Sequence, residues 1–197
     1  MPPSDDQAVR LLEEAESLKL HCQHMEAITL LEGLLLSDPA NVAALEELAD
    51  NELSLERFER AEKAAKQAVA LEPESYMGYY ILGYIALVRE EWEDAEGLLK
   101  LANDLKASNA EILRCLGWVL FRRGDRIQGI VTLERSLNLD PESPLSLCDL
   151  GSCYMEVKNL AKAGTLFERA LELDPGNVRA RECVAMVGRL RGAPLRK

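Results

Sequence analysis

The residues whose types and spacing could support chemistry lie near the start of the chain. His21, Cys22 and His24 are close neighbours, and imidazole and thiolate groups are common zinc ligands. These two histidines are also the only ones in the sequence. The segment falls between two predicted helices, where the imidazoles need not face one point, and no fourth ligand is evident nearby. We therefore predict a solvated turn here, with no metal and no other cofactor.

Other catalytic signatures are missing from the sequence. It contains no nucleophile elbow, no phosphate-binding glycine loop and no dinucleotide-binding fingerprint. Its 34 acidic residues are plentiful, but every carboxylate cluster falls on a predicted exposed helix face. General acid–base catalysis by imidazole would depend on side chains in a turn. We predict that the protein is not an enzyme.

The cysteines give an indication of the compartment. There are five, an odd number, without the paired spacing of a zinc site. Most lie inside predicted helices, where a free cysteine behaves as a small hydrophobic residue. The first residues are acidic and do not resemble a signal peptide, and no apolar run approaches the roughly 18 residues of a membrane span. These features predict a reduced, cytoplasmic location.

The charge of the chain is unevenly distributed. The net charge is −11, yet residues 178–197 hold six basic residues and one acidic residue. Phosphate affinity comes from clustered lysine and arginine, so the acidic body argues against a nucleic-acid partner. A short basic segment at one end is more simply explained as a solubilising helix end, with cations favourable near its C-terminus.

Helix start and stop signals recur every 34 residues. Residues 144–177 read as two short amphipathic helices that end at Asp174-Pro175, because proline cannot continue the hydrogen-bond ladder of a helix. Each 34-residue unit closes with a residue able to cap the next helix. These predicted N-cap residues are Asn41, Ser75, Asn109, Ser143 and Asn177. The stop positions are Pro39, Pro73, Ala107, Pro141 and Pro175, so that only the third lacks proline.

Within each unit, two further positions recur. A Leu-Gly pair occupies the first helix at Leu82-Gly83, Leu116-Gly117 and Leu150-Gly151, and a small residue opens the second helix at Ala27, Ala61, Ala95, Gly129 and Ala163. With the closing proline, this pattern resembles the tetratricopeptide repeat (TPR) family. The first repeat departs from the pattern, with Glu14-Ala15 in place of Leu-Gly.

The resemblance implies an all-α fold, an α-solenoid of five TPR helix-turn-helix repeats with a C-terminal capping helix. The repeats would span residues 8–41, 42–75, 76–109, 110–143 and 144–177. Residues 1–7 would form a disordered polar leader, and residues 178–197 the capping helix and a basic tail. In that helix, Val184, Ala185 and Val187 would cover the last repeat, while Arg179, Arg181, Arg189 and Arg191 would stay in water.

The first helix of the third repeat carries two apolar stripes. Tyr79, Leu82, Gly83 and Ala86 form the expected packing face, whereas a second stripe lies well away from it. Such a helix is buried on both sides or binds something. In TPR proteins the first helices line the concave surface, so the resemblance implies a groove formed by corresponding positions. The candidate groove residues are Met77, Tyr80, Tyr84, Leu87, Arg114, Trp118, Phe121, Arg122, Cys148 and Met155.

The second repeat is rich in acid on its first helix, at Glu46, Glu47, Asp50 and Glu52. We interpret these residues as a solvated helix face, with an acidic wall at one end of the groove as the alternative.

The sequence therefore predicts a non-enzymatic adaptor or scaffold that binds a peptide or helix of a partner protein in an aromatic concave groove. Two alternatives stay open. One is a dedicated acidic chaperone for a secreted or assembling client, and the other is a structural subunit of a larger complex. The stripe could also be covered by the fold itself or by an oligomer, since the sequence leaves the oligomeric state undetermined.

Overall fold

The computed structural model describes residues 5–192, and throughout that range the regular structure consists of α-helices. The chain divides into two compact units, residues 1–106 and residues 107–197, here called unit 1 and unit 2. The helices of unit 1 are α1 (Asp5–Leu20), α2 (His24–Ser37), α3 (Val42–Ser54), α4 (Phe58–Leu71), α5 (Tyr76–Val88) and α6 (Trp92–Leu105). Those of unit 2 are α7 (Ala110–Arg123), α8 (Arg126–Leu139), α9 (Pro144–Glu156), α10 (Leu160–Leu173) and α11 (Val178–Gly192).

The predicted all-α fold of helix-turn-helix repeats followed by a C-terminal helix is confirmed. In each unit the helices pair as antiparallel hairpins, and the first helix of a hairpin packs against the hairpin before it, as α3 does against α2 and α9 against α8. Within the described range, no helix is both long enough and apolar enough to cross a membrane.

The five predicted N-cap residues all cap a helix. The Asn41 side chain accepts a hydrogen bond of 3.0 Å from the amide of Ala44, and the Asn177 side chain accepts one of 2.9 Å from Ala180. Ser75, Asn109 and Ser143 make equivalent bonds to the first turns of α5, α7 and α9. Each bond satisfies an amide that has no partner inside its helix.

The turns inside the hairpins share one backbone feature that the sequence did not predict. One residue in each adopts a positive φ, between 56° and 105°. These residues are Cys22, Glu56, Glu90, Gly124 and Lys158, which lie 34 positions apart. Only one of them is glycine, although side chains generally disfavour this conformation. The left-handed residue reverses the chain after the first helix.

Small residues let the helices of a hairpin approach closely. In unit 1, Ile81 and Ile85 of α5 pack against a layer of alanines from α3 and α4. In unit 2, Gly117 of α7 faces Gly129 of α8, and a Cβ added at Gly129 would lie 2.6 Å from the backbone nitrogen of Phe121. Phe167 of α10 fills the space over Gly151 in the same way. The core is therefore a series of tight hairpin contacts.

Several expectations about the elements need correction. Helix α1 already begins at Asp5, so Asp6 and Gln7 are helical and not part of a disordered leader. Acidic residues favour the first turn of a helix, which has a partial positive charge. On α5, Ile81 and Ile85 are the most deeply buried large side chains, although the expected packing face omitted both. Residues 1–4 of the leader and 193–197 of the basic tail lie outside the described residues.

The capping helix also differs from the expectation. Ala180 and Val187 are buried against the preceding hairpin, but Ala185 is exposed. Two of its arginines do more than keep its outer side in water. Arg191 donates to the carbonyl oxygens of Leu160 and Ala161, and Arg179 bonds to α9, so these side chains fix the helix in place. The basic residues were expected to interact with the C-terminus of their own helix, where carbonyls are unpaired. The carbonyls that Arg191 contacts belong instead to the first turn of α10.

Candidate functional site

The two histidines near the N-terminus have separate partners. Nδ1 of His21, in the turn, lies 2.7 Å from the carbonyl oxygen of Ser17 in the preceding helix α1. Nδ1 of His24 lies 3.0 Å from Oδ1 of Asn51, a buried residue of α3. Across residues 5–192, no three His, Cys, Asp or Glu side chains gather in a group that could bind a metal. His24 therefore contributes to contact between hairpins.

In unit 1, the second stripe of α5 lies at the edge of the core. Met77, Tyr80, Tyr84 and Leu87 are all half-buried. Met77 and Tyr80 pack partly against the alanine layer of α3 and α4. The rings of Tyr80 and Tyr84 are 6.3 Å apart between centroids and inclined at 49°, within the range that aromatic pairs prefer. The stripe is thus a partly accessible apolar surface with two tyrosine rings, and it packs in part against the core of unit 1.

The corresponding face of α1 and α3 is acidic. Nζ of Lys19 donates to Glu47 at 2.7 Å and to Asp50 at 3.0 Å, which ties the first helices of two hairpins together. A small hollow of about 240 Å³ lies beside this pair. It is lined by Val9, Leu12, Glu13, Glu16, Ala43, Glu46 and Glu47. The hollow combines an apolar floor with an acidic rim.

Burial raises the pKa of Glu46 above its ordinary value, although a hydrogen bond of 2.6 Å donated by Ser75 opposes the shift. For Lys19, burial acts to lower the pKa, but the hydrogen bonds and charges of Glu47 and Asp50 outweigh burial and leave the pKa raised. Lys19 therefore remains protonated among the carboxylates of this face.

One acidic residue of α3 does not belong to a solvated face. Glu52 is fully buried, and its Oε1 lies 2.7 Å from Nε of Arg60, while Oε2 lies 3.5 Å from a guanidinium nitrogen of Arg57. Both arginines come from the following turn and helix α4. The interpretation of these acids as a solvated face is therefore wrong at Glu52, because its carboxylate is buried and paired with two arginines of the same hairpin.

In unit 2, a chain of charged side chains joins three helices. Asp149 of α9 is buried, and its two oxygens accept from different arginines. Nη1 of Arg114 on α7 donates to Oδ2 at 2.7 Å, and Nη1 of Arg179 on α11 donates to Oδ1 at 2.8 Å. Arg114 also donates from Nε to Glu111 at 2.9 Å. This network links the fourth hairpin, the fifth hairpin and the capping helix.

Trp118 lies beside that network. The guanidinium carbons of Arg122 and Arg179 are 5.8 Å and 5.9 Å from the centroid of its ring, within reach of a cation–π contact. Trp118 itself is half-buried, and Met155 of α9 packs partly against the same core. Arg122 is exposed and lies 3.6 Å from Glu156. The surface here is amphipathic, with an aromatic ring among arginines.

Three of the candidate groove residues do not form a surface. Phe121 and Cys148 are buried in the core of unit 2, and Arg114 is buried with its charge paired to Asp149 and Glu111. Their assignment to a groove is corrected on this ground. Phe121 is buried because α8 approaches its backbone closely at Gly129.

Sequence reasoning missed a polar group beside the second helices of unit 2. The Tyr154 hydroxyl donates to Glu134 at 2.6 Å and accepts from Lys162 at 3.0 Å. These residues line an open groove of about 560 Å³ between α8 and α10, with an apolar wall that includes Leu137 and Leu166. The spacing of Tyr154 along α9 gives no indication of these hydrogen bonds, which depend on side chains of α8 and α10.

The cysteines differ strongly in expected reactivity. All five are free thiols, and Cys22 is exposed whereas Cys115, Cys148 and Cys153 are buried. Burial raises the pKa of Cys148 to about 11 and that of Cys153 to about 12.

Because the thiolate is the reactive form, iodoacetamide at mildly alkaline pH should label Cys22 in the native protein and spare the buried three. Peptide mass spectrometry measures this, with the guanidinium-unfolded chain as the control in which all five react. Labelling of Cys153 at the rate of Cys22 would contradict the buried placement.

Comparisons with known proteins agree with this architecture. Family models of the tetratricopeptide repeat match residues 46–110 and 144–177. The crystal structure of TTC0263, a thermophilic TPR protein of Thermus thermophilus, is similar with a TM-score of 0.73 and 26% sequence identity, and the match covers 90% of this chain and 97% of that one.

Two curated relatives are much longer than this chain. The protein CTR9 homolog of Arabidopsis thaliana is 30% identical over 110 residues, which is 55% of this chain and 10% of that protein. The peroxisomal targeting signal receptor of Saccharomyces cerevisiae is 33% identical over 88 residues, or 45% of this chain and 14% of the receptor. The chain thus spans a small part of either relative. From the repeat pattern, the helical hairpins and these matches together, the chain belongs to the tetratricopeptide repeat family.

Proposed function

We propose that the protein is a non-catalytic adaptor whose unit 1 binds a peptide or short helix of a partner protein. The TPR fold supports a role in protein–protein interaction. The observation that carries the finer proposal is the half-buried stripe of Met77, Tyr80, Tyr84 and Leu87 on α5, next to a helix whose corresponding face is acidic.

The residue types of the stripe suit an interface. Tyrosine and methionine are enriched at protein interfaces, where rings bring a large contact area at low entropic cost. Fully burying one such side chain contributes on the order of 2 kcal/mol. Several anchors together could support micromolar binding after the entropic costs of association are deducted. Tyr80 already packs against the alanine layer and its ring lies beside that of Tyr84, which reduces the entropic cost of ordering these side chains.

The acidic face favours a partner with basic residues beside its apolar anchors. Residues 1–106 contain 23 acidic and nine basic residues, a net charge of −14. Opposite charge on the partner would speed association and discriminate against acidic segments. In unit 2, Trp118, Arg122 and Met155 are proposed as a further contact surface of a different, basic character.

A peptide-display selection followed by affinity measurement tests the proposal. The full-length protein should recover peptides that combine lysine or arginine with aliphatic or aromatic residues. Tyr84→Ala should weaken the selected peptides at least tenfold, in line with the loss of one anchor worth about 2 kcal/mol. Leu36→Ala provides the matched control, because Leu36 is a highly exposed side chain of α2.

Thermal unfolding of the variants tests whether a loss of binding is caused by a loss of the fold. Tyr84→Ala should melt close to the parent protein, since the ring lies at the edge of the core. Unchanged peptide affinity in Tyr84→Ala would refute the proposed surface, as would selection of acidic peptides. Binding of unfolded chains without any sequence preference would instead favour the chaperone alternative.

A further inference from the structure

The first hairpin of unit 1 has an open apolar groove on α1 and α2, here called the end groove. Its volume is about 570 Å³. Its rim carries Glu14 and Glu26, and its wall includes Gly33, where an added Cβ would meet no atom within 4 Å. The apolar lining consists of Leu11, Leu18, Leu30 and Leu34. The end groove is therefore an open hollow, lined by leucines, along the helix pair α1 and α2.

Internal repetition indicates what shape of partner fits the end groove. Leu45 of α3, Leu113 of α7 and Leu147 of α9 occupy the repeat position of Leu11 and are at most 3% exposed, whereas Tyr79 of α5 at the same position is half-buried. Leu45 and Leu147 lie on helices that pack against the second helix of the preceding hairpin, α2 or α8. Leu11, by contrast, is half-buried among the described residues. An α-helix placed like α2 or α8 would complete the packing around α1.

The capping helix α11 has a second apolar face that suits this position. Val178, Met186 and Leu190 are 61%, 41% and 48% exposed, and their spacing of eight and four places them on one stripe. Arg181 and Arg189 are exposed beside the stripe. The opposite face of α11 is occupied by contacts with the fifth hairpin. The exposed face is thus an amphipathic, basic helix surface.

We propose that α11 of one copy docks into the end groove of a second copy, so that the protein associates head to tail. Charge complementarity supports this occupant. The groove rim is acidic at Glu14 and Glu26, whereas the α11 stripe is flanked by Arg181 and Arg189. The units show the same contrast, since residues 1–106 carry a net charge of −14 and residues 107–197 carry 11 acidic and 14 basic residues. Contacts between two different surfaces leave both ends open, so the association extends into chains. The association uses neither of the surfaces proposed for partner binding.

Sedimentation velocity of the full-length protein over a range of concentrations tests the association. The average mass of the parent protein should rise with concentration, and less so at high salt, because screening weakens the charged rim. Gly33→Arg places a bulky cation in the groove without a clash in the fold, and Leu190→Glu places an acid in the exposed stripe of α11. Each variant alone should remain monomeric. Val131→Glu, at an exposed position of α8, should associate like the parent protein.

Mixing the two blocked variants gives the decisive result. Gly33→Arg keeps an intact α11, and Leu190→Glu keeps an intact groove, so an equimolar mixture should form dimers and nothing larger. A parent protein that stays monomeric at every concentration would overturn the proposal, and so would docking of α11 within its own chain, which leaves the mass unchanged. Association that survives either variant, or a mixture that stays monomeric, would overturn it as well.

Discussion

Replacement of Asp149 by alanine should lower the free energy of unfolding by about 3–5 kcal/mol. The substitution removes the carboxylate that pairs with Arg114 and Arg179, and it leaves Arg114 as a buried cation with Glu111 as its remaining charged partner. Removal of one partner from a buried ion pair is costly because the remaining charge is uncompensated. Urea denaturation followed by circular dichroism measures the change. The capping helix should also become more accessible to protease, since Arg179 loses its main anchor.

Two further variants make this expectation specific. Glu156→Ala removes an exposed carboxylate that is 3.6 Å from Arg122, and it should change stability by less than about 1 kcal/mol. Arg114→Met combined with Asp149→Leu replaces the buried pair by apolar side chains and should recover most of the lost stability. Equal stability of Asp149→Ala and Glu156→Ala would mean that the network contributes little to the fold.

Gly129→Leu is expected to destabilise unit 2 by about 3 kcal/mol or more. A Cβ at this position would lie 2.6 Å from the backbone nitrogen of Phe121 and 2.8 Å from the carbonyl oxygen of Gly117. The obstructing atoms belong to the backbone of α7, so they cannot move aside as the end of a flexible side chain could. The two helices must separate, which loosens the core around Phe121 and Leu133. Urea denaturation again measures the cost.

The same substitution elsewhere provides the control. At Gly97 of α6, a Cβ would meet nothing within 4 Å, and leucine has a higher helix propensity than glycine. Gly97→Leu should therefore be neutral, or stabilising by roughly 0.5–1 kcal/mol. Comparable losses in both variants would show that helix packing at Gly129 is not the cause.

Local signals explain why the helices could be predicted from the sequence. A capping residue such as Asn41 acts on an amide three positions later, and a proline such as Pro141 prevents the preceding helix from continuing. Neither depends on the rest of the fold. The division into two units coincides with Ala107, the stop position that lacks proline, although the sequence alone did not assign a boundary there.

Contacts between distant residues explain what the sequence did not reveal. Glu52 occurs among polar neighbours and resembles a solvated acid, whereas Asp149 occurs between Cys148 and Leu150, yet each carboxylate is buried against arginines from beyond its own helix. Helical periodicity predicts which face of its own helix a side chain lies on. It does not predict how far a neighbouring helix buries that side chain. For the same reason, the sequence pattern places Phe121 and Cys148 on a surface, although close packing between helices buries them.

The left-handed residue in each hairpin turn has a consequence for how such a chain can change in length. Cys22, Glu56 and Glu90 occupy the same place in successive turns, and the capped first helix of the next hairpin begins at the same distance along the chain from each of them. A duplicated 34-residue segment would bring its own reversal and its own cap, and would leave the hydrogen bonds at both junctions intact. An insertion inside a helix would instead rotate the residues beyond it relative to the neighbouring helix. Gain or loss of whole modules is therefore the least disruptive route by which this protein can lengthen or shorten.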